Sequence, residues 1–445
     1  MKFEKDTLTI LTTALEKMEH GFNGLPDIDY DVDKKAISSI LHQVAERMQN
    51  NFPYQHPLYA GQMLKPPHPV ARLAYMLAMW INPNNHALDG GRASSRMEKE
   101  AVAELAQMIG WKTHLGHLCS GGTMANLEAL WVAGKFNPGK IIIASEQAHY
   151  THHRISEVLQ LPFQAVPCDR RGRMDTDALE ILLKTGAIGT VVATLGTTAT
   201  GSVDPLPAIL ELRNKYDFRL HVDAAYGGYF ILADNLQSET RAAFNLLSAA
   251  DSVVIDPHKH GLQPYGAGCV LFKDPAVGIY YKHDSPYTYF SSAELHLGEI
   301  SLECSRPGAA AVALWATQQL FPLIKDGEFS RNLSKGRIAA QQLHDHLKND
   351  SRFLTIFEPE LDIVIWAPSA KNLQKVSELS RIFFQKAAEN NLHLALAALP
   401  ATLAAPYWPE VNMNDSTVTC LRSCLMKPEH LDWLPQIWEK ITTIS

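Results

Sequence analysis

Between about residue 61 and residue 325, short apolar runs alternate with helical stretches, and no other feature restricts the fold of this chain as strongly. The runs are Ile141-Ile-Ile-Ala-Ser, Phe163-Gln-Ala-Val, Thr190-Val-Val-Ala-Thr-Leu, Arg219-Leu-His-Val-Asp, Ser252-Val-Val-Ile-Asp and Cys269-Val-Leu-Phe. They are of strand length, rich in β-branched residues and mostly apolar on both faces. Such runs predict an α/β fold, with a mostly parallel sheet buried on both sides by the intervening helices.

The flanks read differently. Residues 1–60 predict two helices, Thr7 to His20 and Asp33 to Asn50, joined by the turn-rich Asn23-Gly-Leu-Pro-Asp-Ile-Asp. This is too little to form a core, so they are expected to wrap another surface. Residues 326–445 predict a small α+β domain. A helix places Leu333, Ala340, Leu343 and Leu347 on one face, an alternating strand begins at Leu361, and a last strand spans Thr417 to Leu425. The expected division is therefore 1–60, 61–325 and 326–445.

Charge narrows the partners. Lys plus Arg number 40 against 47 Asp plus Glu, a net charge of −7, so no global basic field invites nucleic acid or an anionic membrane. Any anion must be held by a local site. The first residues show no basic stretch followed by an apolar core, and no apolar run approaches the roughly 20 residues that span a bilayer. A cytoplasmic protein is expected, in which the six scattered cysteines are free thiols. Cys420 and Cys424 lie in a strand-like run with no second pair, which argues against a metal site.

In open parallel sheets, ligands bind beyond the carboxyl ends of the strands. Lys259 falls there, in Asp256-Pro-His-Lys-His-Gly, between His258 and His260. A lysine amine partly removed from water near other cationic groups becomes a usable nucleophile, able to form a Schiff base. A second run ends in His221-Val-Asp-Ala-Ala-Tyr-Gly-Gly, where Asp223 needs a cationic or hydrogen-bonding partner unless it merely caps a helix. Ala225 leaves room for a flat ring against the backbone. Ser120-Gly-Gly-Thr123 opens a helix and offers backbone amides as an anion cradle. His149 can lie flat over a ring; with His152 and His153 it could suggest zinc, but no matching ligand spacing supports a metal. Together these residues describe a site for pyridoxal 5′-phosphate: aldehyde on Lys259, pyridinium on Asp223, phosphate on Ser120, Gly121, Gly122 and Thr123, ring beneath His149.

On these motifs, with Gln147-Ala-His149, Leu195-Gly-Thr-Thr198, Pro257-His-Lys259 and Leu421-Arg422, the chain resembles the group II pyridoxal-phosphate-dependent amino-acid decarboxylases. These include the glutamate and aromatic L-amino-acid decarboxylases of the aspartate aminotransferase-like fold. The resemblance spans about residues 50 to 435 and implies a seven-stranded sheet and a homodimer with sites at the subunit interface. It also implies Thr198 near the cofactor, His258 near its phosphate, and Arg422 and Gln62 near the substrate; from the charge balance, no nucleic-acid or membrane partner is expected. His260 and Asp256 depart from the residues usual in the family, which leaves the substrate open; Tyr54, Tyr59, Gln62 and His260 are candidate pocket residues. An ion pair with Asp432 is the structural alternative for Arg422. The expected reaction is loss of CO2 from an L-amino acid. Tyr287 returns a proton to Cα, and Tyr289 is the neighbour to distinguish. An aminotransferase, a carbon–carbon lyase and a non-catalytic scaffold are the competing readings.

Overall fold

The computed structural model describes residues 5–26, 32–282 and 297–444. Seven strands form the larger sheet: β1 (Leu115–Cys119), β2 (Ile141–Ser145), β3 (Phe163–Val166), β4 (Ile188–Thr194), β5 (Arg219–Asp223), β6 (Ser252–Ile255) and β7 (Gly268–Phe272). Their order is β1-β7-β6-β5-β4-β2-β3. Neighbours from β6 to β3 are parallel, whereas β7 is antiparallel to both β6 and β1. One strand therefore runs against the other six, and every residue of β4, β6 and β7 is buried.

Six of these strands match the apolar runs; β1 does not. Its sequence, Leu-Gly-His-Leu-Cys, interrupts the apolar pattern with Gly116 and His117. Both interruptions have packing reasons. A Cβ on Gly116 would meet Leu271 Cδ2 at 2.6 Å and the Val270 carbonyl oxygen at 2.7 Å. His117 is buried with its Nε2 2.8 Å from Glu128 Oε2, on the helix Gly122–Phe136.

The smaller sheet is antiparallel, with β8 (Phe353–Thr355), β9 (Ile363–Pro368), β10 (Ala395–Pro400) and β11 (Thr417–Cys424) in the order β10-β11-β9-β8. Helix Glu328–Lys348 buries Leu333, Ala340, Leu343 and Leu347, as its spacing predicts. Strand β9 starts two residues beyond Leu361, and only its last residue escapes full burial. The segment before the larger sheet is stitched to the smaller one: Ala60 N–H donates to the His393 carbonyl, and Cys424 N–H to the Ala60 carbonyl.

The first two helices are Lys5–Glu19 and Lys34–Met48, the second capped by Asp33, whose side chain accepts from Lys35 N–H and Ala36 N–H. No residue of Lys34–Met48 is buried, and Ile37, Ile40, Leu41, Val44 and Met48 stand 45–63% exposed along one face. No helix of the described residues is long and apolar enough to cross a membrane.

Candidate active site

Because β7 alone is reversed, the carboxyl ends of β1, β2, β4, β5 and β6 open on one edge of the sheet. A cavity of about 320 Å³ lies there. Its lining includes Ser120, Gly121, Gly122 and Thr123 after β1, His149 after β2 and Thr198 after β4. Asp223 and Ala225 line it at the end of β5, and His258 and Lys259 after β6. All ten residues that the sequence assigns to a cofactor thus meet in one place. Tyr287 and Tyr289 lie outside the described residues.

Asp223 is buried and fully engaged. His152 Nε2 lies 2.9 Å from its Oδ2, Asn126 Nδ2 lies 3.4 Å from the same oxygen, and Oδ1 accepts from Ala225 N–H at 3.1 Å. Burial works to raise the carboxyl's pKa, but the hydrogen bond and charge of His152, aided by Lys259, hold it well below the usual carboxylate range. No helix starts at this residue for it to cap: the next element is the short 3-10 helix Gly228–Leu232, which has no side-chain cap.

Behind Asp223 runs a chain of hydrogen bonds that the sequence reading missed. Asn126, on the helix Gly122–Phe136, donates through Nδ2 to the Gly122 carbonyl at 2.8 Å. Its Oδ1 therefore accepts from His221 Nε2–H at 2.8 Å, leaving His221 Nδ1 to accept from Ser252 Oγ–H at 2.9 Å. Burial pushes His221 down to about 3, consistent with a neutral ring in this role. His221 faces the same side of β5 as Asp223, a period-2 signal present in the sequence. His152, grouped at first with a possible metal cluster, is instead the partner of Asp223, while His153 packs edge-on against Phe163 at 5.4 Å.

Lys259 differs from expectation in its company. Its Nζ lies 3.1 Å from Asp256 Oδ2, so the nearest charged partner is a carboxylate. The histidines on either side do not supply cationic neighbours, because burial lowers both His258 and His260 from their usual pKa. His258 stacks at a tilt on Tyr265, with ring centroids 4.8 Å apart. His149 lines the cavity with Nδ1 2.8 Å from Thr151 Oγ1, and burial lowers its pKa as well.

At the anion cradle, a Cβ on Gly122 would meet Asp256 Oδ2 at 2.7 Å, so the turn has no room for a side chain. The helix that begins there has no side-chain cap, and its first residues, Gly122, Thr123 and Met124, line the cavity. The Ser120 amide is taken, since it donates to Glu303 Oε2 at 2.9 Å.

Arg422 and Gln62 stand one residue behind the lining. Arg422 Nη1 donates to the Thr198 carbonyl at 2.8 Å and Nη2 to Gln62 Oε1 at 2.9 Å. Asp432 is not its partner; that residue lines a separate cavity. His260 does not reach the smaller cavity. It is buried against Tyr226 and Phe230, with Nε2 3.3 Å from Asp362 Oδ2, while Tyr226 O–H donates to Asp362 Oδ1 at 2.5 Å.

Comparison with known proteins points to one family. Residues 131–367 match the model of the pyridoxal-dependent decarboxylase conserved domain. An L-tyrosine decarboxylase of Enterococcus faecium is 28% identical, covering 81% of this chain and 77% of its own. An L-aspartate decarboxylase of Thermococcus kodakarensis is 30% identical, covering 77% of this chain and 86% of its own. Among solved structures, Oryza sativa TDC with PLP and tryptamine superposes with a TM-score of 0.78 at 16% identity, over 100% of this chain and 99% of that one.

Proposed function

Since the chain belongs to the pyridoxal-dependent decarboxylase family, we propose that it converts an L-amino acid to its amine and CO2 in the cavity at the edge of the larger sheet. Pyridoxal 5′-phosphate is its cofactor. One observation carries the site assignment: an anionic Asp223, anchored by His152, shares this cavity with the amine of Lys259.

The lining fits the cofactor in its polar groups. Thr194 Oγ1, Asp256 Oδ1 and His258 Nδ1 are buried around the cavity without a hydrogen-bond partner, leaving polar groups there for a ligand to satisfy. When bound, pyridoxal 5′-phosphate supplies an aldehyde for amines and a protonated ring that takes up the electron pair left by a departing carboxylate. Lys259 holds the aldehyde through its Nζ. Asp223 keeps the proton on the ring nitrogen, the amides of Gly121, Gly122 and Thr123 and the ring of His258 hold the phosphate, and His149 and Ala225 flank the ring. Thr198 lies beside the cofactor, and Arg422, oriented by Gln62, grips the substrate carboxylate. Tyr287, or its neighbour Tyr289, returns a proton to Cα.

Tyrosine and aspartate are the first substrates to test, because relatives named for both lie at 28% and 30% identity. We propose a homodimer in the cytoplasm. The unpartnered apolar face of Lys34–Met48 supports the dimer, and six free cysteines support the compartment. The test is to load the purified protein with cofactor and assay CO2 and amine from each common L-amino acid. Equal amounts of both from at least one substrate are expected; a keto acid product, or no turnover despite bound cofactor, overturns the reading.

A further inference from the structure

A second cavity, of about 910 Å³, shares no lining residue with the sheet-edge site, although its Tyr265 packs against His258. The segment around Tyr54 to Arg72, the loop after Lys259, the helix Glu328–Lys348 and the segment after Met426 enclose it. Three lysines line it, of which Lys335 is exposed, as is Arg72, and the other two are buried. Lys65 is 9% exposed and Lys427 4% exposed. Each donates to a backbone oxygen, Lys65 Nζ to the Met426 carbonyl at 3.3 Å and Lys427 Nζ to the Tyr59 carbonyl at 2.6 Å, and Lys427 Nζ also lies over the Tyr59 ring, 5.3 Å from its centroid.

Among the described residues, no carboxylate stands within 4.0 Å of either nitrogen. Glu328, Glu429 and Asp432 also line the cavity but remain beyond that distance. Asp362 and Glu429 act on Lys65, and Glu429 on Lys427, only from beyond that distance; burying an ammonium without a direct ion pair is costly, and burying two that repel each other is more so. A packing role would be served better by Met or Leu at both positions. The strain is visible in their protonation: burial pushes Lys65 down to about 8, and burial with repulsion from Lys65 pushes Lys427 down to about 7. The remaining lining supplies flat apolar surface from Tyr54, Tyr265 and Phe321.

We infer that this cavity binds a small organic anion carrying a ring and a carboxylate or phosphate, with the anionic group held between Lys65 and Lys427. Neither lysine lines the cavity of Lys259, so occupancy is separable from the catalytic site. The ring would lie against the tyrosines, and the three acids would disfavour ligands of high negative charge.

The test titrates the cofactor-loaded protein calorimetrically with phenyl phosphate and, separately, with phthalate. Saturable binding of at least one probe, at one site per chain, is expected, and the probe that binds distinguishes phosphate from carboxylate. Lys65→Met and Lys427→Met should each weaken that binding by about tenfold or more, as loss of a charge-assisted contact requires. Arg422→Lys should leave it unchanged. The same Met variants should melt at a temperature equal to or above wild type without probe, because each removes a buried charge that has no carboxylate within 4.0 Å; Lys65→Gln and Lys427→Gln serve where a Met variant does not fold. The proposal falls if neither probe binds at about 10 mM, if binding survives both lysine changes, or if Arg422→Lys abolishes it. A clear drop in melting temperature of both Met variants also overturns it, since it would make the lysines structural.

Discussion

His152 Nε2 stands 2.9 Å from Asp223 Oδ2, so the carboxylate assigned to the cofactor nitrogen is held from behind by an imidazole donor. The two residues come from different elements, the helix Thr151–Val158 and the end of β5, and both are buried. This bond fixes one carboxylate oxygen, helps to keep Asp223 ionised, and fixes which nitrogen of His152 carries the proton.

Asp223→Asn should bind the cofactor and lose most of its rate, because a neutral amide cannot hold a proton on the ring nitrogen by charge pairing. His152→Phe should show a milder version. Hydrogen bonds to charged groups contribute about 1.5–3 kcal/mol, and a loss of that size corresponds to about ten- to hundredfold in rate. Steady-state assays with absorbance of the bound cofactor check both; near-normal turnover in Asp223→Asn would reduce the carboxylate to a structural role.

Lys259→Ala should abolish turnover and the linkage to cofactor that borohydride traps. Mass spectrometry of the reduced protein locates the linkage, and attachment at a different single lysine would move the assignment elsewhere.

Arg422→Lys keeps the charge but loses the fork that reaches both Thr198 and Gln62. The substrate KM should rise by about tenfold, as expected for one lost charged hydrogen bond, while cofactor absorbance stays normal. Unaltered kinetics with a lower melting temperature would make the arginine a strut between the two sheets.

Much of this site was legible because its parts follow strand ends, and strand ends are what apolar runs announce. Lys259, Asp223 and the Gly121-Gly122 turn each carry a local signal. The supporting network carries none of its own: Asn126 and His152 sit on helices, and only the packing of those helices against β5 brings them to Asp223 and His221. Strand β1 escaped for a related reason. Its glycine is explained by contacts with Val270 and Leu271, residues distant in sequence, and its histidine by Glu128 on the following helix. The Lys259–Asp256 pair was within reach of spacing alone, since two residues separate them, but the flanking histidines drew the reading toward cationic company.

Tyr287→Phe keeps the ring and removes a transferable proton. CO2 release should continue while amine formation falls, so the ratio of amine to CO2 drops below one. Tyr289→Phe should keep the ratio at one; the reverse pattern would transfer the role to Tyr289.

The last prediction concerns Asp362, which accepts from the Tyr226 hydroxyl and is pushed up to about 6 by burial. An acid whose pKa is higher in the folded chain than in the unfolded one, where it is about 3.9, favours the fold most when protonated. Its contribution is fully present below about pH 4, falls as pH rises, and is lost above about pH 6. Asp362→Asn keeps an oxygen for Tyr226 but cannot titrate. The stability of wild type relative to this variant should therefore decline with rising pH across that window, by up to about 1.4 kcal/mol per unit, and level off above it. Denaturant unfolding of both proteins at half-unit steps of pH reads the difference directly. A flat difference would mean that Asp362 stays ionised in the fold, its charge offset by Lys65, the nearby cation that favours the ionised form.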